Sequence, residues 1–405
     1  MLFSLLLIAL LAHEPAQAST PPGFATFADA VQMANDGRDA DALAAFQRIV
    51  TANPNDHEAR LWIARLHERM DNMALAEAVY RSVLLEDGSS VEAMLGVGRA
   101  LLERDDPAEA IEMFERAQEL APQNDDILEW LGRAHRQAGR PARAILYFEL
   151  AVALAPTEQH RLSLEDARRV YFHRVETRGF SEQFSTSTPD SRSGEVAVNY
   201  RLSDTLRVAG RGQVQRKFGI REERGGGGVE WRWKPAITLR GQALVGHDTT
   251  VMPEGDYFGE IDYAHRRASW TASVRYFDFT GARVHVVSPA VSWLASERFS
   301  IGVRYALSLT ESNTLLSRTS GHSLHVRGAY RLYPRLWVTG GYASGVDDFE
   351  NFSIDRVGDF RANTGSAGVR YDLPSLTSLV GSFEYQRRER GLSMNRVTVS
   401  LAQSF

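Results

Sequence analysis

The sequence has 405 residues, 43% of them apolar, a mean hydropathy of −0.29 and a formal net charge of −5. This composition argues against a bundle of membrane helices, but it leaves a membrane β-barrel open, because a barrel needs apolar residues only at alternate positions. The absence of cysteine excludes disulfides, thiolate metal ligands and cysteine nucleophiles.

Charge is distributed unevenly along the chain. From Arg169 onward there are 31 Lys and Arg residues against 24 Asp and Glu residues, a balance of +7, whereas the preceding part carries −12. This asymmetry predicts two domains of different character.

The N-terminus is typical of an export signal. Residues 1–11 are apolar apart from Ser4, and Ala16-Gln17-Ala18 forms a small-x-small cleavage site before Ser19. We therefore predict a signal peptide over residues 1–18, with a buried N-terminal helix as the alternative. Export of an acidic first domain also argues against nucleic acid as a partner.

The next segment repeats every 34 residues, which is the distance in sequence from Ala42 to Ala76. Four positions recur without an insertion or deletion: two carry small residues, one carries an aromatic residue, and one carries a helix-breaking proline or glycine. They are Ala30, Ala64, Gly98 and Gly132; Ala42, Ala76, Ala110 and Ala144; Phe46, Tyr80, Phe114 and Phe148; and Pro54, Gly88, Pro122 and Pro156. These residues resemble the tetratricopeptide repeat, in four units over residues 22–156.

Stacked helix pairs of this kind bury their apolar faces against each other and leave a curved groove that binds partners. Arg65, Arg99 and Arg133 recur in the first helix of successive pairs. One interpretation is a ladder for a carboxylate-bearing peptide, protein or sugar, so we predict a periplasmic protein or polysaccharide at this groove. The other is a solvated face with local ion pairs.

After a predicted linker helix over residues 157–168, the apolar period changes from helical to two. In residues 205–217, for example, Leu206 and Val208 alternate with Arg207 and Ala209. The alternation continues to the last residue. It predicts an antiparallel β-domain over residues 169–405.

Turn lengths favour a transmembrane barrel over a soluble sandwich. Short polar turns alternate with longer connections, such as residues 225–228, 247–256, 310–320 and 345–360. Aromatic residues flank the short turns, as in the interfacial girdle of a barrel: Tyr200, Trp233, Tyr263, Trp293, Tyr330 and Tyr371. We predict 14 strands, with 12 or 16 as alternatives. The fold class is thus an α-solenoid followed by a transmembrane antiparallel β-barrel.

The alternation assigns many cations to the inner wall of the barrel, more than the inward carboxylates can pair. The predicted lumen cations are Arg207, Arg211, Lys217, Arg232, Arg240, Arg275, Arg304, Arg327, Arg370 and Arg396. Unpaired positive charge in a narrow lumen attracts anions. The alternative is an interior salt-bridge network that plugs and stabilises the barrel.

The last strand ends on an aromatic residue, Phe405, and carries Val397, Val399 and Leu401 on one face. It resembles the assembly signal of bacterial outer-membrane barrels, which implies the barrel-assembly machinery and outer-membrane lipid as partners. No histidine of this region pairs with a nucleophile in a recognisable motif, so we expect no enzyme, no cofactor and no metal site. An acidic stretch contains Asp347, Asp348, Glu350, Asp355 and Asp359. Because of it, a surface receptor or adhesin remains an alternative function.

This order of parts resembles the YaiO-type outer-membrane proteins and, more distantly, exopolysaccharide exporters with tetratricopeptide repeats and a barrel. The resemblance implies an outer-membrane location with the repeats in the periplasm. We therefore expect a part in the export of an exopolysaccharide or other anionic solute. A non-conducting surface barrel, acting as receptor, adhesin or envelope-assembly scaffold, is the alternative.

Overall fold

A computed structural model of the chain describes residues 26–312, 317–346, 349, 352–357 and 361–405. The predicted signal peptide, residues 22–25 of the repeat domain, and the acidic residues Asp347, Asp348, Glu350 and Asp359 lie outside the described residues. The chain divides into two compact units, residues 1–100 and 101–405, and each is described by itself.

The described part of the chain contains nine α-helices. They are α1 (Phe27–Asn35), α2 (Asp39–Ala52), α3 (His57–Arg69), α4 (Met73–Glu86), α5 (Val91–Glu103), α6 (Pro107–Leu120), α7 (Asp125–Gln137), α8 (Pro141–Leu154) and α9 (Glu158–Tyr171). Several of their starts carry capping side chains, such as Asp56, Asp106 and Asn124. Among the described residues, no helix is long and apolar enough to cross a membrane.

The repeating small and aromatic residues form the helical cores of both units. In the first unit Phe46 is fully buried and its ring stacks on Trp62 with 5.5 Å between centroids. In the second unit a Cβ at Gly132 would lie 2.5 Å from the ring of Phe148. The small residue is therefore required where the two helices meet, because any side chain would displace that ring.

Fourteen described strands form a closed antiparallel barrel in which each strand pairs with its neighbours in sequence and β1 pairs with β14. The predicted fold class and strand number are confirmed. The strands are β1 (Arg174–Phe184), β2 (Ser191–Arg201), β3 (Leu206–Lys217), β4 (Ile220–Lys234), β5 (Ile237–Gly246), β6 (Gly255–His265), β7 (Ala268–Phe279), β8 (Ala282–Ser296), β9 (Phe299–Ser312), β10 (Ser317–Tyr333), β11 (Leu336–Ser344), β12 (Ala362–Asp372), β13 (Thr377–Arg388) and β14 (Ser393–Ser404).

The outer face of the barrel is apolar. Val196, Val274 and Val399, on three different strands, are at least half exposed there, whereas their neighbours along each strand point inward. All six aromatic residues predicted to flank the short turns are exposed by 41–53%. At one end of the barrel every connection has two to four residues, as at residues 235–236 and 266–267, and we call this the short-turn end.

The interpretation of residues 225–228 as a loop was wrong. Gly225, Gly226, Gly227 and Gly228 lie in the middle of β4, and β3 turns into β4 at Phe218 and Gly219 instead. A run of glycines is a strong turn signal in a sequence. Here it serves close backbone approach, because a Cβ at Gly226 would fall on the carbonyl oxygen of Ala243.

Candidate functional site: the barrel interior and its short-turn end

A buried ion cluster fills the end of the barrel opposite the short turns. Glu182 of β1 is 1% exposed and accepts from Arg396 at 2.6 Å, with Lys217 and Arg356 both at 3.5 Å. Three cations thus share one buried carboxylate. Such a cluster holds its side chains in place, because a charged side chain that lost its partners would stay buried without water, at a large cost in free energy.

The connection between β11 and β12 completes this cluster. Its short 3-10 helix, Ile354–Arg356, brings Asp355 to 2.9 Å from Lys217 and 2.8 Å from Arg388. Just before it, the ring of Phe352 stacks on Phe277 with 4.6 Å between centroids. The described part of this connection therefore lies inside the barrel rather than above it.

A second connection packs against the first. Glu222 of β4 accepts backbone N–H groups of residues 250–252, and the Ile354 N–H donates to the Val251 carbonyl at 2.9 Å. The described residues of these two connections and the ion cluster together occupy this end of the lumen.

The middle of the lumen is open and polar. A cavity of about 370 Å³ is lined by Arg304 of β9, Arg327 of β10, Glu384 of β13 and several serine, threonine and glycine residues. Cα register pairs Arg304 with His325, so Arg327 is its diagonal neighbour on the same inner face, roughly 7 Å away. Neither arginine forms an ion pair with any described residue. Two like charges therefore face the same cavity.

The ten predicted lumen cations divide into two groups in the structure. Arg211, Lys217, Arg240, Arg275, Arg370 and Arg396 each form an ion pair with a carboxylate. Arg207, Arg232, Arg304 and Arg327 form none with the described residues. The interior thus contains both a salt-bridge network and cations without a carboxylate partner.

Helix α9 ends at the short-turn end of the barrel, within the second unit. The carbonyls of a last helical turn have no partner inside the helix. Here Arg201 donates from Nε to the Tyr171 carbonyl at 2.5 Å, and Arg207 donates to the Val170 carbonyl. Two inward-facing arginines therefore cap the negative end of the helix dipole.

Side chains strengthen the same contact. Arg335, in the β10–β11 turn, pairs with Glu158 at 2.8 Å and with Glu165 at 3.0 Å. The Tyr171 hydroxyl donates to Asp204 at 3.1 Å, and burial together with this hydrogen bond raises the pKa of Tyr171. Helix α9 is thus fixed to the rim by both backbone and charge.

The three predicted groove arginines each have a carboxylate partner. In the first unit Arg65 pairs with Glu92 at 2.5 Å and Arg99 pairs with Glu68 at 2.9 Å. In the second unit Arg133 pairs with Glu129 at 2.9 Å and lies over the ring of Trp130. A ligand carboxylate would have to compete with these partners.

The terminal residue Phe405 closes the barrel at the short-turn end. Its backbone N–H donates to the His173 carbonyl at 3.0 Å, and its ring is 62% exposed on the outside. The structure thus places the predicted assembly signal on an accessible surface.

One group of described residues has metal-ligand geometry. Ligand atoms of Asp125 and Asp126 in α7 and of His160 in α9 lie within 4.8 Å of one another. Nδ1 of His160 is 2.8 Å from the Ala155 carbonyl. Exposed acidic groups of this kind are common without an ion, and we assign none.

Several residues of the barrel interior were not predicted from the sequence. Glu182 could have been found, because it follows the inward parity of Arg174 and Arg178 on β1. Asp355 and Arg356 could not, since they belong to a connection whose inward course no periodicity indicates. Arg201 of β2 and Arg331 of β10 could also have been found, because both follow the inward-facing alternation of their strands.

The tetratricopeptide repeat family matches the chain twice, over residues 35–97 and 95–158. Residues 35–158 are tetratricopeptide repeats. Repeats of this family generally mediate protein–protein interactions, which is consistent with protein partners for this segment. Repeats joined to a closed barrel of 14 strands fit an outer-membrane barrel with a repeat scaffold.

Solved structures similar to the chain include MamA, at 22% identity over 34% of this chain and 76% of that chain, with a TM-score of 0.32. A thermophilic TPR protein of Thermus thermophilus is 21% identical over 34% and 77%, also with a TM-score of 0.32. Pseudomonas aeruginosa PilF is 23% identical over 34% and 64%, with a TM-score of 0.32. Among curated proteins, none matches the chain.

Proposed function

We propose that the chain is a YaiO-like outer-membrane protein whose barrel spans the membrane, with its tetratricopeptide repeats in the periplasm. It takes part in moving an anionic solute, such as an acidic exopolysaccharide, across the outer membrane. The proposed role is transport and not catalysis, and the repeats hold a periplasmic protein or polysaccharide.

The outer face of the barrel supports the membrane location. Exposed valines and leucines on this face would meet water in a soluble domain, at a cost of roughly 25 cal/mol per Å². In lipid the same apolar belt, formed by these outward-facing side chains, carries no such cost. Closure of β1 on β14 leaves no strand edge unpaired. Exposed Trp233 and Trp293 lie at the short-turn end, where an interfacial girdle is expected.

Arg304 and Arg327 carry the transport part of the proposal. They line the open cavity of the lumen without an ion pair to any described residue. In a confined, low-dielectric space their charges attract anions and repel cations. The serines and threonines beside them offer hydrogen bonds to sugar hydroxyl groups.

Ion selectivity in a planar lipid bilayer tests the proposal. We expect the purified chain to show a reversal potential of anion-selective sign in a KCl gradient. Because Arg304→Gln with Arg327→Gln removes both arginine charges of the open cavity, this double variant is expected to shift the reversal potential toward cation preference.

Arg221→Gln is the matched control. Arg221 is 70% exposed and pairs with exposed Glu223, so its removal changes net charge outside the cavity and should leave selectivity unchanged. Cation preference in the unmodified chain, or a double variant indistinguishable from it, would overturn the anion-lumen proposal.

A receptor or envelope-assembly scaffold is the second candidate, and one observation favours it. The buried cluster around Glu182 and the inward connection with Asp355 fill one end of the lumen. A barrel closed in this way would conduct no ions. Absence of current from correctly inserted protein would therefore favour the scaffold over the transporter.

A further inference from the structure

Within the second unit, a cavity of about 300 Å³ lies between the end of the helical segment and the short-turn end of the barrel. Six arginines line it: Arg136, Arg169, Arg201, Arg232, Arg331 and Arg370. We call this cavity the mouth chamber. Helices α7, α8 and α9 close one side of it, and the inner wall of the barrel forms the other.

Two carboxylates, Asp166 and Asp372, are among the described residues that line the chamber, so the formal charge of these residues is +4. Asp372 pairs with Arg370 at 2.9 Å and lies 3.9 Å from Arg169. Asp166 pairs with Arg169 at 2.9 Å. Both carboxylates are therefore already engaged by arginines.

The remaining arginines have no carboxylate. Arg201 is held by backbone carbonyls of α9, whereas Arg136, Arg232 and Arg331 form no ion pair with the described residues. Nε of Arg331 is buried and has no hydrogen-bond partner among the described residues, although its guanidinium lies over the ring of Trp337 at 4.4 Å. A ligand oxygen in the chamber would satisfy this donor.

We propose that the mouth chamber binds the carboxylate of one residue of an acidic saccharide, as the entry subsite of the lumen. The volume suits a small ligand, and Val170, Pro141 and Trp337 provide apolar walls beside the guanidinium groups. Planar guanidinium groups bind carboxylates in bidentate geometry, and enclosure strengthens the interaction.

The chamber leads toward the open cavity of the lumen. Arg331 and Arg327 lie on the same inner face of β10, four residues apart, or roughly 13 Å along the strand. An anionic chain could therefore pass from one cationic site to the next. This inference rests on the proposed transport function for its biological meaning, but the binding site can be tested by itself.

Calorimetric titration of the full chain in detergent with trigalacturonate tests the chamber. We expect saturable binding that weakens as salt is raised, because the attraction is between charges. Arg232→Gln with Arg331→Gln removes two unpaired chamber cations and is expected to weaken binding by about tenfold or more. Arg221→Gln, on the exposed surface, should bind as the unmodified chain does.

The methyl ester of trigalacturonate and inorganic phosphate identify the ligand chemistry. The carboxylate assignment is overturned if the neutral ester binds as tightly as trigalacturonate, or if inorganic phosphate binds and trigalacturonate does not. No binding of trigalacturonate, or unchanged affinity in the double variant, overturns the chamber itself. The conservative pair Arg232→Lys with Arg331→Lys, which keeps both charges, should restore part of the affinity and excludes a folding defect as the cause.

The outcome separates from that of the transport proposal. Binding without ion selectivity would leave the chamber and remove the transporter. Anion selectivity without binding would leave the lumen proposal and remove the chamber.

Discussion

Replacing Glu182 with glutamine is expected to lower the free energy of unfolding of the barrel by about 3 kcal/mol. The substitution keeps the shape of the side chain but leaves Arg396, Lys217 and Arg356 around a neutral group in a buried site. Asp355 and Glu384 retain part of the cluster, so the barrel should still close. Urea unfolding in lipid vesicles, followed by tryptophan fluorescence, measures the change.

Glu223→Gln is the control for this prediction. Glu223 also pairs with an arginine, Arg221, but both side chains are more than 60% exposed. Surface pairs contribute about 0–1 kcal/mol, so the control should unfold close to the unmodified chain. A Glu182→Gln barrel within about 0.5 kcal/mol of its parent, the range of an ordinary surface substitution, would show that the buried cluster does not stabilise the closed end.

Placing a methyl group at Gly226 is expected to prevent closure of the barrel. In Gly226→Ala the new Cβ would overlap the carbonyl oxygen of Ala243, which is backbone and can move only with strand β5. Overpacking typically costs about 1–3 kcal/mol, and because the obstructing atom is backbone, the clash is relieved only if β4 separates from β5. Folded barrels migrate faster than their heated forms in gel electrophoresis, and we expect this variant to lack the faster band.

Gly210→Ala provides the comparison, because a Cβ at Gly210 meets no other atom within 4 Å. It makes the same chemical change in the neighbouring strand β3 and should assemble normally. If Gly226→Ala folds to the same extent as Gly210→Ala, the close approach of β4 and β5 is not required for the barrel.

The sequence contained most of the architecture. A constant repeat interval predicts the stacked helices because each unit must bury the same small and aromatic positions, and Phe46 and Tyr80 are indeed fully buried. Alternation predicts the barrel because side chains of a strand point to opposite faces. Both patterns are local, so one chain is enough to detect them.

Pairing inside the barrel could not be predicted in the same way. Parity assigns Lys217 and Arg396 to the inner wall, but their partner Glu182 lies 214 positions before Arg396 in the sequence. Asp355 reaches Lys217 only because its connection enters the lumen. Which cations remain unpaired depends on such contacts, and these follow from the closed fold and not from any segment of it.

The glycine run at Gly225–Gly228 shows a second limit. Glycine permits both a turn and a close backbone approach, and the sequence alone does not distinguish the two. The tight turn at Phe218 and Gly219, where both residues have positive φ, carries less glycine and so gives a weaker signal. A type I′ hairpin turn needs positive φ at both central residues.

Extraction of membranes from a Gram-negative cell that makes the full chain tests the central claim most directly. If the apolar belt of the barrel faces lipid, the chain is recovered in the outer-membrane fraction, resists alkaline carbonate, and enters solution only with detergent. A chain recovered as a folded monomer in plain buffer, with no detergent present, would contradict the account, because the belt would then face water.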